Sequence, residues 1–158
     1  MEFKLPVSVL VVIHSPEMRI LLLERADRPG FWQSVTGSQD AGEALRATAI
    51  REVAEETGIN ATEHELCDWQ LQNVYEIYPQ WRWRYAPDVT HNTEHVFGLT
   101  VPESVPLRLA PREHLQYLWM PLEQAMGKVF SWSNANALRL LPEKCAQKGG
   151  SLSTACPI

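Results

Sequence analysis

The sequence predicts an α/β domain, a mixed β-sheet sandwiched between helices (α/β/α), and three observations predict it. Val7 to Ile13 (VSVLVVI) is short, β-branched and nearly continuous, the composition of a strand covered on both faces. Gly37 to Ile59 joins a glycine-bearing loop to a helical pattern whose Ala49, Ile50, Val53 and Ala54 form an apolar flank suited to pack on a sheet. The chain has 158 residues, enough for one domain with a substantial core. That domain is placed at residues 1–141, with 142–158 as a mobile tail lacking periodicity.

Taken in order, His14, Ser15 and Pro16 mark a turn after the first strand, and Arg19 to Glu24 reads as its hairpin partner. Phe31 to Thr36 is a strand that delivers the loop at Gly37, with Trp32 in the core by default. Gly58 ends the helix. Cys67 to Tyr78 alternates imperfectly, predicting a strand broken near Asn73. Pro79 to Asp88 interleaves two tryptophans and a tyrosine with Arg82 and Arg84. Such a stretch can stack a flat ring, bind single-stranded nucleic acid, or simply pack as an aromatic loop tied by salt bridges. His95 to Val101 is a strand in which Gly98 marks a bulge or close approach. Leu107 to Leu109 and Tyr117 to Met120 are further short strands. Pro121 starts a short helix through about Met126, and a last helix runs from Asn134 to Leu141, capped within SWSN and stopped by Pro142.

Composition narrows the function. Hydrophobic residues at 45% and charged ones at 21% describe an ordinary globular chain. A net charge of −5 disfavours a general grip on nucleic acid, so no nucleic-acid partner is expected. The three cysteines, Cys67, Cys145 and Cys156, show no metal-ligand spacing. No leader segment is read at the start, and Val7 to Ile13 is too short to span a bilayer. A cytoplasmic location without a membrane partner is expected.

The chemistry lies on the helix. Glu52 and Glu56 stand one turn apart and Glu55 lies beside both. Like charges at that spacing repel unless a cation sits among them. Mg²⁺, with Mn²⁺ as a substitute, takes oxygen ligands of this kind together with water and phosphate. A plain solvated acidic surface is the competing reading.

The spacing of Gly37, Glu43, Arg51, Glu52, Val53, Glu55, Glu56, Gly58 and Ile59 resembles the Nudix box along its whole length, nine specified positions in 23. Flanking segments are similar to one branch of the Nudix hydrolases, the one acting on dihydroneopterin triphosphate in bacterial folate synthesis. They are PVSVLVVI, FWQSVTGS, RYAP, VTHNTE, EHLQYLW and SWSN, and together they extend over residues 4–141. The resemblance implies a Nudix fold and Mg²⁺-dependent cleavage of 7,8-dihydroneopterin 3′-triphosphate, a small-molecule substrate, to the monophosphate and pyrophosphate. It implies Glu52 and Glu56 as metal ligands, Glu55 as a further ligand or as the base through a bound water, and Arg51 as a clamp on a glutamate. Glu113, in the EHL segment, would reach back to the metal cluster, while Glu43 would steady the loop. Lys4, Arg25, Thr36 and Ser131 are candidates for the triphosphate and side-chain contacts, and Tyr75, Glu76, Ile77 and Tyr78 for the ring-binding wall. Rival readings are a Nudix enzyme for other nucleoside triphosphates or dinucleoside polyphosphates, a non-catalytic Nudix binding module, and an RNA-binding role for WRWRY.

Overall fold

A computed structural model describes residues 2–150. Seven strands form one mixed sheet: β1 (Val7–His14), β2 (Arg19–Arg25), β3 (Trp32–Gln33), β4 (Val35–Ser38), β5 (Glu65–Glu76), β6 (His91–Thr100) and β7 (His114–Pro121). Three helices, α1 (Leu45–Thr57), α2 (Leu122–Lys128) and α3 (Trp132–Gly150), cover it. One apolar cluster joins Val9, Val11, Phe97 and Leu99 of the sheet to Ala49 and Val53 of α1. The other joins Leu10, Val12, Leu22 and Val96 to Ala125, Leu138 and Leu141 of α2 and α3. Alternate residues of each strand feed opposite layers, so the α/β/α sandwich follows from the two-residue period of the strands. Phe97 is fully buried, and truncating it to alanine would cost about 3–5 kcal/mol.

The feature that makes a site possible is a change of partner along β1. It is not simply hairpinned with β2, as expected from the sequence: the two share the pair His14↔Ile20 and then diverge. Further back, Ser8 to Val11 pair with β4, while the opposite edge of β1 runs parallel to β6. β2 instead turns to β3 and, over most of its length, to β7. The sheet therefore opens between its two arms, and α1 packs across β1 and β4 beside that opening.

Four other expectations need correction. The irregularity in β5 falls between Asp68 and Leu71, with Gln70 at φ 54°, and not at Asn73. Trp69 is the reason: its indole lies over Gly98, where an added Cβ would come within 2.6 Å of Nε1, so the bulge and the bare glycine accommodate one another. Leu107 and Leu109 are not in a strand; the Arg108 N–H donates to the Thr57 carbonyl and the leucines pack on the core beside the exit of α1. The strand Phe31–Thr36 is split at Ser34, whose N–H donates to Asn134 Oδ1. Finally, α3 does not stop at Pro142 but runs on to Gly150, so residues 142–150 of the expected tail are helical; the rest lies outside the described residues. Proline forfeits one helical hydrogen bond, but Leu138, Leu141 and Cys145 continue one apolar stripe onto the sheet and packing outweighs the loss.

Candidate active site

β4 brings Thr36 and Gly37 against α1. A Cβ on Gly37 would sit 2.0 Å from the Glu52 carboxyl carbon and Oε2, so this glycine is what lets the Glu52 carboxyl lie across the strand. Arg51 fixes it there: Nη1 donates to Glu52 Oε1 at 2.7 Å. The same guanidinium donates to both Glu43 oxygens at 2.8 and 3.0 Å and to the Ser38 carbonyl at 2.9 Å. Glu43 also accepts from the Asp40 N–H and the Thr48 hydroxyl, which ties loop to helix as the sequence led us to expect. Hydrogen bonds from Arg51 hold the Glu43 carboxyl well down, at about 2.

Glu56 is buried deeper, and it is joined by a 2.9 Å hydrogen bond to Nε2 of His114, the first residue of β7. Glu113 stands next to it, and ligand atoms of Glu56, Glu113 and His114 lie within 4.8 Å of one another. Glu52 is pushed up to about 8, first by burial and then by the proton it shares with Glu56 and by that neighbour's charge, against the pull of Arg51. Burial likewise raises Glu56, opposed by its hydrogen bonds to Glu52 and the Thr36 backbone. Burial lowers the His114 imidazole below its ordinary value. Buried carboxyls crowded beside one imidazole, with the Arg51 charge largely spent on Glu43, make a hard donor set that fits a divalent cation.

These groups close one end of a cleft of about 900 Å³. Of the residues singled out in the sequence, Lys4, Arg25, Thr36, Arg51, Glu52, Glu56, Tyr75, Glu76, Ile77, Tyr78, Glu113 and Ser131 all border it. Glu55 does not: its side chain is 51% exposed and leans on Arg51 at 3.4 Å, because its position on the helix faces outward. Several of the others are already committed. The Thr36 hydroxyl donates to the Val9 carbonyl at 3.0 Å, and Ser131 Oγ accepts from the Asn134 N–H as the cap of α3. Arg25 is held bidentate by Asp27 at 2.7 and 2.8 Å, donates to Gln33, and lies 4.6 Å over the Trp81 ring. Lys4 is the freer cation; burial and the Arg84 charge lower its pKa while the charges of Glu52 and Glu113 raise it.

The WRWRY stretch forms a 3-10 turn, Pro79–Arg84, that builds the far wall. Tyr78, Trp81 and Phe130 meet edge-on or tilted at 5.4 to 6.1 Å, and Arg84 reaches Asp27 at 3.5 Å. That is the aromatic loop with salt bridges among the readings above. Sequence reasoning missed His114; the one signal was its place beside Glu113 in the EHL segment. It also gave no binding role to Glu94 or Asn92, which are buried although they lie in the polar first half of β6, or to the buried Asn134 of α3.

Among the described residues, no helix is long and apolar enough to cross a membrane. The family model for the NUDIX domain matches residues 4–141. The chain is 43% identical over 139 residues to the dihydroneopterin triphosphate diphosphatase of Escherichia coli, covering 86% of this chain and 91% of that one. To the Haemophilus influenzae enzyme of the same name it is 39% identical over 143 residues, covering 88% and 89%. The solved structure of the E. coli dihydroneopterin triphosphate pyrophosphohydrolase superposes with a TM-score of 0.82 at 43% identity, over 88% of this chain and 96% of that one. A Caenorhabditis elegans Ap4A hydrolase shares the fold at a TM-score of 0.70 and 20% identity, over 89% of this chain and 98% of that one. With the box intact, its Glu52 and Glu56 bordering the cleft, and these relatives matching over most of both chains, the protein belongs to the Nudix hydrolase family.

Proposed function

We propose that this enzyme hydrolyses 7,8-dihydroneopterin 3′-triphosphate to the 3′-monophosphate and pyrophosphate, with Mg²⁺ as the natural cation and Mn²⁺ as a substitute. The observation that carries the reading is the cluster of Glu56, Glu113 and His114, with the Glu52 carboxyl beside it, bordering a cleft of about 900 Å³, a volume with room for a ring as well as a triphosphate. The name shared by the E. coli and H. influenzae relatives supplies the substrate.

Glu52, Glu56 and Glu113 would hold the cation. Such an ion, when bound, neutralises phosphate oxygens and makes a nearby water more acidic. Arg51 fixes the Glu52 carboxyl by its 2.7 Å bond, and Gly37 leaves room for it. His114 orients Glu56 and keeps a proton between Nε2 and Oε1. Glu55, which faces outward from α1, is the proposed base acting across a water, or an outer ligand. Lys4 and Arg25 face the phosphates, Thr36 and Ser131 the three-carbon side chain. Tyr75, Glu76, Ile77 and Tyr78 flank the ring. Phosphoryl transfer asks mostly for positioning and charge neutralisation, which these groups provide.

Hydrolysis of dihydroneopterin triphosphate beside dATP in ¹⁸O-labelled water, with products read by mass spectrometry, tests the proposal. Pyrophosphate released preferentially from the pterin substrate supports it. Preference for dATP transfers the site to a nucleoside triphosphate, and phosphate release that persists in chelator removes the metal reading.

A further inference from the structure

The floor of the same cleft carries polar atoms that the chemistry above does not use. Glu94 of β6 is only 4% exposed, borders the cleft, and its Oε1 has no hydrogen-bond partner among the described residues. Asn73 of β5 is its register partner, set behind the residues that border the cleft, which include Glu94 and Asn92 but not Asn73 itself. The amide is near enough to lower the pKa of the Glu94 carboxyl, as the Ser133 hydroxyl also does, but Asn73 Nδ2 closes no hydrogen bond. Asn92, two residues before Glu94, points to the same face. Its Nδ2 donates to Ser8 Oγ at 2.8 Å and to the Tyr75 hydroxyl at 3.1 Å, which fixes the amide and leaves Oδ1 buried and unmatched.

Buried polar atoms are nearly always satisfied, so three without partners, gathered on one face, point to a ligand. They form a set: two acceptors, Glu94 Oε1 and Asn92 Oδ1, and one donor, Asn73 Nδ2. A 2-amino-4-oxopyrimidine presents the converse along one edge, with its amino group and ring N–H as donors and its carbonyl as acceptor. Pterins and guanine carry that edge. Hypoxanthine lacks the amino group, and adenine lacks the carbonyl and the ring donor.

We infer that Glu94, with Asn73 and Asn92, recognises the 2-amino-4-oxopyrimidine edge of the substrate ring and is the specificity determinant of the enzyme. The inference rests on the reading above that this cleft takes a ring-bearing triphosphate. Placement agrees with it: Ser8 pairs with Glu94 on one side and Ser38 on the other, so β6 and β4 are two strand spacings, roughly 10 Å, apart. A ring seated at Glu94 thus leaves its phosphates at the β4–α1 end. Burial also holds the Glu94 carboxyl up at about 7, a group that a pair of N–H donors would draw to its charged form.

Ligand-observed NMR, which reads millimolar affinities, tests this with dihydroneopterin, guanosine and inosine on the metal-free enzyme. The wild type is expected to bind dihydroneopterin and guanosine roughly tenfold to a hundredfold better than inosine, and Glu94→Gln to bring all three within about threefold. Asn73→Ala is expected to weaken inosine relative to adenosine, since only inosine offers the carbonyl; this second variant keeps the test valid if Glu94→Gln does not fold. Equal binding of guanosine and inosine by the wild type, no binding of any probe, or unchanged discrimination in both variants overturns the inference. Guanosine held better than dihydroneopterin, with the discrimination lost in Glu94→Gln, supports this inference and sinks the pterin substrate. Turnover of the pterin triphosphate with discrimination indifferent to Glu94 does the reverse.

Discussion

Two buried acidic sites share one cleft and differ in kind. On α1, Glu52 and Glu56 are crowded and adjoin Glu113, so burial raises both and a neighbouring carboxylate adds to it, Glu56 acting on Glu52 and Glu113 on Glu56. On β6, Glu94 is raised by burial, and the groups nearest it, Ser133 and Asn73, are neutral donors. Crowded carboxyls are relieved by a concentrated positive charge, whereas a solitary one is relieved by hydrogen-bond donors. The same residue type therefore suits one end of the cleft to a cation and, on the inference drawn above, the other to a ring.

The largest effect expected from breaking the crowded site is chemical. Glu56→Gln should lower turnover at least about a hundredfold with the fold retained, read as pyrophosphate release at saturating Mg²⁺ beside a thermal melt. Turnover like that of the wild type would detach catalysis from the α1 cluster. Gly37→Ala comes next. Its methyl would collide with the Glu52 carboxyl, so cation affinity should fall about 10–100-fold, measured by Mn²⁺ titration. Unaltered affinity would mean that Glu52 is not a ligand.

A smaller and more diagnostic effect is on stability against pH. Without metal, Glu52 binds a proton more tightly folded, up to about 8, than at the ordinary 4.5. Between those values the native state holds more protons than the unfolded one, so Tm should fall as pH rises through the window. Saturating Mg²⁺ should abolish that fall, because the cation replaces the proton. Glu43 runs the opposite way: with its pKa at about 2, its contribution is complete above 4.5 and lost as pH drops toward 2. A metal-free Tm that climbs from pH 5 to 8 would refute the crowding. The smallest effect is expected at Trp83, 64% exposed in the 3-10 turn. Trp83→Ala should shift stability by no more than about 0.5 kcal/mol by urea titration, and a larger loss would show that the far wall leans on it.

Much of the catalytic end was legible in order along the chain. Glu52 and Glu56 fall on one stripe by helical geometry, and Gly58 at φ 77° ends α1 where the glycine pattern placed it. The ring end was not. Asn73, Asn92 and Glu94 come from two strands, and only their pairing puts them together. His114 reaches Glu56 across 58 residues, and Asn134 reaches Ser34 across 100. No local period signals such meetings. The continuation of α3 past Pro142 was hidden for the same reason, since a local stop signal was outweighed by contacts with a distant sheet.

By itself the sequence determined the alternation of strands and helices and the acidic helix with its glycine exit, because these rest on local patterns and on spacings within a few turns of one chain segment, while the family resemblance supplied Arg51 as the clamp. Only the tertiary structure decided that Glu55 faces outward, that His114 completes the cluster, and that Glu94 waits unmatched at the floor. Those outcomes depend on β1 exchanging β2 for β4 and on the register of β5 with β6. Both are set by long-range packing, which the order of residues encodes but does not display.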